Sequence, residues 1–369
     1  MKNLNKFRSY FFAATVAISS FAFTSCDDDN DPEPEVIVEA RGLYDQKGVF
    51  VLNEGNYGYP TSSISFQSDS ANHKVVNNIF SKANADRPLG DVLMDMDLVG
   101  DRAYLTVNNS NKIEIVNAYT FKTEAVIENL KQPRFFAALN EDKAYVTEWI
   151  KYGEPGQVSV IDLKTNKVIK SIPVGPVPEE LYIANGKVYV AVSGSNVVAV
   201  INTATDTKEA DIELTDRPSS LELDQNNRLW VLSGGRVVYN DDFSAVDYTK
   251  TTPGSLSSIN TSTNAVISTL VFPSNQSSPS NLTINGAGNK LYFNYSGSTF
   301  AQDVNASTIS TTSIINKSFY GMDVDPETGY IYGAEQSFTG NGTVFVYRPD
   351  GTQVTSFVAG IGPNGFRFR

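Results

Sequence analysis

The segment Asn185-Gly186-Lys187-Val188-Tyr189-Val190, continued by Val198-Ala199-Val200-Ile201-Asn202 and the turn Thr205-Asp206-Thr207, contains the unit that decides the fold. A Gly/Asn turn feeds an apolar-aromatic-apolar triplet. A second alternating run follows, and another polar turn closes it. Period-two alternation between turn residues is the pattern of short antiparallel strands, not of helices.

The triplet recurs as Val49-Phe50-Val51, Ala103-Tyr104-Leu105, Ala144-Tyr145-Val146, Val188-Tyr189-Val190, Leu229-Trp230-Val231, Leu291-Tyr292-Phe293 and Ile331-Tyr332-Gly333. The central aromatics are separated by 54, 41, 44, 41, 62 and 40 residues, so four of the six intervals match the length of a propeller blade. The two long intervals predict loop insertions. Arg87-Pro88, Gln132-Pro133, Val177-Pro178, Arg217-Pro218, Ser278-Pro279 and Gly362-Pro363 fall between one unit and the next, where a crossing segment has no ladder partner for proline's missing N–H. No convincing helix is read between the strands.

A single unit cannot bury both faces, and a closed ring of units removes exposed sheet ends. The first unit starts at its second strand, over 48–52, and the chain ends on Gly365-Phe366-Arg367-Phe368-Arg369, where an inner strand belongs. The expected fold is therefore all-β: a seven-bladed β-propeller of four-stranded antiparallel blades, closed by the C-terminal strand joining the N-terminal blade. Open solenoids would need polar caps, and sandwiches would not repeat one four-strand grammar seven times.

The N-terminus reads separately. Lys2, Lys6 and Arg8 precede an apolar run over 10–23, too short to span a bilayer and suited to a secretory signal. Phe23-Thr24-Ser25-Cys26 resembles a bacterial lipobox, with Phe23 in place of the usual aliphatic residue, and Cys26 is the chain's only cysteine. The resemblance implies lipidation of Cys26; a lone thiol makes no internal disulfide. Asp27-Asp28-Asp29-Asn30-Asp31-Pro32-Glu33-Pro34-Glu35 is too acidic and too poor in apolar side chains to fold, and reads as a solvated tether. The expected organisation is a signal peptide over 1–25, a lipidated cysteine and tether over 26–43, and a propeller over 44–369. Acidic residues directly after the cysteine resemble the export signal of surface lipoproteins, implying the outer face of the outer membrane.

The formal net charge is -12, and removing the signal's three positive charges makes it -15. Seven acids between Asp27 and Glu39 supply nearly half of that. Without a basic patch, nucleic acid is excluded as a partner. His73 is the only histidine and falls in an outer turn, so the usual general base is missing, and no catalytic residue is assigned. The absence of His and Cys clusters leaves no ordinary zinc, copper or haem site, and no metal or cofactor is expected.

Function is left to the loops between second and third strands and to the blade junctions, which share one rim. There the sequence places Asn56, Tyr57 and Tyr59, then Trp149 and Tyr152, Arg217, the 234–253 insertion with Arg236, Tyr239, Phe243 and Tyr248, and finally Tyr295. Aromatics of this kind supply rigid contact area at low entropic cost. The competing reading is that each packs its own loop. Asn56, Tyr57, Tyr59, Trp149, Tyr152, Arg217, Arg236, Tyr239, Tyr248 and Tyr295 are the candidate ligand contacts.

Units such as Gly-Lys-Val-Tyr-Val, Val-Ile-Asp and Pro-Val-Gly-Pro-Val-Pro, clearest over 143–218, resemble the YncE-type, or YVTN, propeller repeats. The opening Leu52-Asn53-Glu54-Gly55-Asn56, after the lipobox and acidic tether, resembles the BtuG-type surface corrinoid-binding lipoproteins. That likeness implies capture of a small-molecule ligand, cobalamin or a related corrinoid, for a TonB-dependent transporter, with the membrane reached through the lipid. Two alternatives stay open: an adhesion or scaffold propeller that binds protein or glycan, and a propeller lyase or hydrolase with a carboxylate pair over the channel.

Overall fold

The computed structural model describes residues 40–70, 73–151 and 154–369. The signal segment, Cys26 and Tyr152 lie outside them. Residues 41–369 form one compact unit. Seven antiparallel sheets of four strands make up a seven-bladed propeller, as the repeat predicts. One blade has its outermost strand divided into Thr207–Lys208 and Ile212–Glu213, both paired with Val197–Asn202.

All seven triplets lie on the second strand of a blade: Gly48–Asn53, Arg102–Val107, Lys143–Glu148, Lys187–Val192, Arg228–Ser233, Lys290–Tyr295 and Ile331–Glu335. Their central aromatics are buried, none above 6% exposed, and they form the packing between successive sheets. Where they carry a polar atom, several fasten one blade to the next. The Tyr145 hydroxyl donates to Asp206 at 2.6 Å, and that of Tyr189 donates to the Thr261 carbonyl at 2.9 Å, in each case in the outer turn of the following blade. The one triplet ending in glycine has a steric reason: a Cβ on Gly333 would sit 2.5 Å from the Phe319 ring.

Closure occurs where the termini predict it. Pro363–Phe368 is the inner strand of the blade begun by Gly48–Asn53, with Val49 opposite Phe368 and Val51 opposite Phe366. The junction prolines differ slightly from expectation. Pro133, Pro178, Pro218 and Pro363 are the first residues of inner strands, not linkers before them. A strand's first residue tolerates a missing N–H.

One short helix departs from the all-strand reading. Ile79–Ala83 lies in the connection that fills the first long interval, with Ile79 and Phe80 buried against Phe50, Phe66 and Phe121. A run this short has too few turns to print a helical period in sequence. The second long interval holds the loop between Arg228–Ser233 and Ser255–Asn260.

Candidate functional site

Inner strands run from one rim to the other, so the loops after the second strands and the blade junctions share a face, and the remaining turns share the opposite one. His73 belongs to the latter, in the turn between Ser63–Ser68 and Val75–Val76. The candidate residues that the structure describes belong to the former.

On that rim Tyr57 is 76% exposed, Tyr59 65%, Tyr239 51%, Phe243 79% and Tyr248 47%. None is needed to fill the core. Asn56 is half-buried and shapes its own turn, its backbone N–H donating to Thr61 Oγ1 at 2.7 Å. The 234–254 loop is braced from within and from the next junction: Tyr239 pairs with Val246, its ring lies 6.3 Å from that of Phe243, and the Tyr248 carbonyl accepts from Asn275 Nδ2 at 2.8 Å. Arg236 is exposed and stands 4.0 Å from Asp216. Arg217 is exposed on the adjoining junction, with a left-handed backbone (φ 66°) and its N–H donating to the Ser195 carbonyl.

Tyr295 requires a correction. It is 8% exposed and packs against Phe272 and Phe300, while the Ser274 N–H donates to its hydroxyl at 3.1 Å. Burial of both ring and hydroxyl removes it from the rim surface, and Asn294 beside it is buried as well.

Trp149 is half-buried and looks inward. Its Nε1 donates to the Pro178 carbonyl at 3.1 Å, and the Arg134 guanidinium stacks on its ring at 4.2 Å. Arg134 Nε and Nη2 both donate to Glu179 Oε2, at 3.1 and 2.8 Å. Arg134 and Glu179 lie one residue beyond the junction prolines Pro133 and Pro178, which puts them at the channel mouth. Across it, the Tyr320 hydroxyl donates to Glu54 Oε2 at 2.5 Å, with Phe338 edge-on to Tyr320 at 5.9 Å.

The mouth holds its acids towards their neutral form. Burial raises the Glu54 carboxyl above its ordinary range, against the Tyr320 hydrogen bond and the Arg134 charge. Burial raises Glu179 as well, opposed by Arg134 and Arg217. Burial and then Glu54 raise the Tyr320 phenol. Glu54, Arg134, Glu179 and Tyr320 were absent from the candidate set. Glu54 was legible within Leu52-Asn53-Glu54-Gly55-Asn56, and Arg134 and Glu179 by their place after the prolines. Only the ring joins Tyr320 to them.

Deeper in the channel, side chains bind neighbouring inner strands together. Asp95 accepts from Phe136 N–H at 2.9 Å and pairs with Arg367 at 3.1 Å, Glu180 accepts from Leu221 N–H at 2.9 Å, and Thr283 donates to Asp323 at 2.5 Å. Among the described residues, no group of three or more His, Cys, Asp or Glu is placed to hold a metal ion. No helix there is long and apolar enough to cross a membrane.

Solved structures share the architecture. A functionally unknown protein from Desulfotomaculum acetoxidans DSM 771 aligns with a TM-score of 0.64 at 15% identity, over 88% of this chain and 99% of that one. A quinonprotein alcohol dehydrogenase-like protein from Bacteroides thetaiotaomicron VPI-5482 aligns with a TM-score of 0.61 at 16% identity, over 88% and 78%. Kuenenia stuttgartiensis hydrazine synthase aligns with a TM-score of 0.56 at 18% identity, over 74% and 88%. At these identities the likeness carries the propeller fold and no chemistry. No curated protein sequence matches the chain. The blades over 47–356 match the model of the domain of unknown function DUF5074, and the chain belongs to that family.

Proposed function

We propose that this propeller captures a bulky, ring-containing solute on its aromatic rim without transforming it, and that the solute is cobalamin or a related corrinoid. In this reading the protein is a surface lipoprotein held by lipid on Cys26, and it passes its cargo to a TonB-dependent transporter. One observation carries the proposal: Tyr57, Tyr59, Tyr239, Phe243 and Tyr248 are exposed on a single rim around a polar mouth. Clustered exposed aromatics on a rigid scaffold favour binding, because their rings offer contact area with few torsions to freeze.

Glu54 and Glu179 supply the carboxylate pair that an enzymatic reading needs, yet both are engaged, one by Tyr320 and the other by Arg134. Side chains used in this way favour an ordered binding floor over proton transfer.

Calorimetric titration of the purified protein with cyanocobalamin tests the reading. The expected result is saturable binding, the ligand recovered unchanged, and loss of binding by at least about thirtyfold when Tyr57, Tyr239 and Tyr248 are together replaced by Ala. A flat titration of folded protein overturns the corrinoid assignment. Saturation by a glycan or a protein instead would establish the adhesion or scaffold alternative.

A further inference from the structure

Each blade ends on an outer strand with one row of backbone N–H and C=O groups turned away from the sheet, and folded proteins shield such rows by brevity, charge or a covering segment. Six of the seven outer edges are shielded in one of these ways. Val75–Val76 and Ser313–Ile315 are short. Thr123–Ile127 carries Glu124, Lys167–Pro176 carries Lys167 and Lys170, and the divided edge carries Lys208 and Glu213. On Gln353–Val358, Asn77 Nδ2 donates to the Val358 carbonyl at 3.4 Å.

The seventh, Ala265–Val271, ends the sheet that contains Ser255–Asn260. It is seven residues long, uncharged, and has Val266, Ile267 and Val271 exposed. Charge is missing well beyond the strand: from Thr251 to Asn289 there is no Asp, Glu, Lys or Arg, in a chain that is 19% charged with a net charge of -12. Two copies of an acidic protein repel one another, and a neutral stretch of this length lowers that cost.

The backbone fixes a register. Phe272 N–H donates to the Gly254 carbonyl at 3.0 Å, and bonding in an antiparallel pair alternates residue by residue. Leu270 and Ser268, opposite Leu256 and Ser258, therefore turn their backbone groups inward, while Thr269 and Val271 turn theirs outward. The strand's one register shift lies beyond Ser268, so 268–271 is regular. Setting Thr269 opposite its own counterpart in a second copy then places Ile267 opposite Val271 twice over. Apolar meets apolar and threonine meets threonine, both favourable cross-strand pairs.

We propose that Ala265–Val271 is a dimerisation edge, joined antiparallel to the same strand of a second copy about a twofold axis at Thr269. The contact is isologous: each copy covers the other's open edge, and growth stops at two. It lies on the periphery of the ring and leaves the channel mouth free.

Sedimentation velocity on the chain carrying Cys26→Ser, which keeps lipid and the native thiol out of the measurement, tests this. A monomer–dimer equilibrium with a dissociation constant of about micromolar order is expected, since one strand pair makes a small interface. Thr269→Pro removes an outward N–H and no backbone bond within the blade, and Thr269→Lys puts two like charges on the axis; each should weaken dimerisation at least about tenfold. With Thr269→Cys, mild oxidation should join two chains, because the Cα separation of about 5.5 Å in a bonded antiparallel pair suits a disulfide. A monomer at every concentration up to about 0.1 mM, a dimer indifferent to both Thr269→Pro and Thr269→Lys, or assemblies larger than two overturn the proposal. So does equally ready cross-linking of Ser262→Cys, in the exposed turn before the strand.

Discussion

At the residue scale, the most consequential side chain outside the rim is Glu180. Burial pushes its carboxyl up to about 8, with Glu222 and Asp95 adding like-charge repulsion and the Leu221 N–H opposing them. The same carboxyl in an unfolded chain titrates near 4.5. Between those values the unfolded state loses the proton and the folded state keeps it, so stability declines as pH rises across that window and levels off above it. The slope from this group is at most about 1.4 kcal/mol per pH unit. Glu180→Gln should flatten the decline, read by urea unfolding at several pH values across it. A variant as steep as the parent would place the proton elsewhere. Tyr145→Phe offers a second measurement: losing the bond to Asp206 should cost about 1 kcal/mol. Trp230→Ala, which empties a buried site, should cost about 3 to 5 kcal/mol.

At the scale of elements, the strands were legible because each triplet is buried on both faces while its turns are Gly, Asn or Asp. The Ile79–Ala83 helix was not, since its only mark is the buried pair Ile79 and Phe80 inside an irregular connection. Tyr295 was misplaced by one strand position. It ends Lys290–Tyr295 and still faces the core, whereas the loop proper begins at Ser296. The mouth was missed for a different reason. Arg134, Glu179, Glu54 and Tyr320 come from four separated blade segments, and only curvature brings them together. Cutting Arg134 to Ala should leave the half-buried Glu179 without its cation at a cost of about 1 to 3 kcal/mol, while the Arg134→Ala, Glu179→Gln double variant should recover part of it. The aromatic loop makes the opposite case. Ser233 and Ser255 are already paired across its base, so replacing 234–254 with Asn-Gly should preserve the far-UV spectrum and two-state unfolding while removing three of the exposed aromatics.

For the whole molecule, the pairing of Val49 with Phe368 has a kinetic consequence. The two strands that shut the ring are the first and last to leave the ribosome, so every shorter nascent chain is an arc with a naked edge and an unfinished sheet. Contacts between such distant positions demand the largest loop-closure entropy the chain can incur, which predicts a slow closing step there. A circular permutant that joins Arg369 to Gly48, whose backbones already exchange hydrogen bonds, through a two-residue Asn-Gly turn, and opens the chain in another outer turn, should reach the same ring with a shorter search. Stopped-flow refolding of the permutant against the parent would measure how much of the barrier belongs to that single seam.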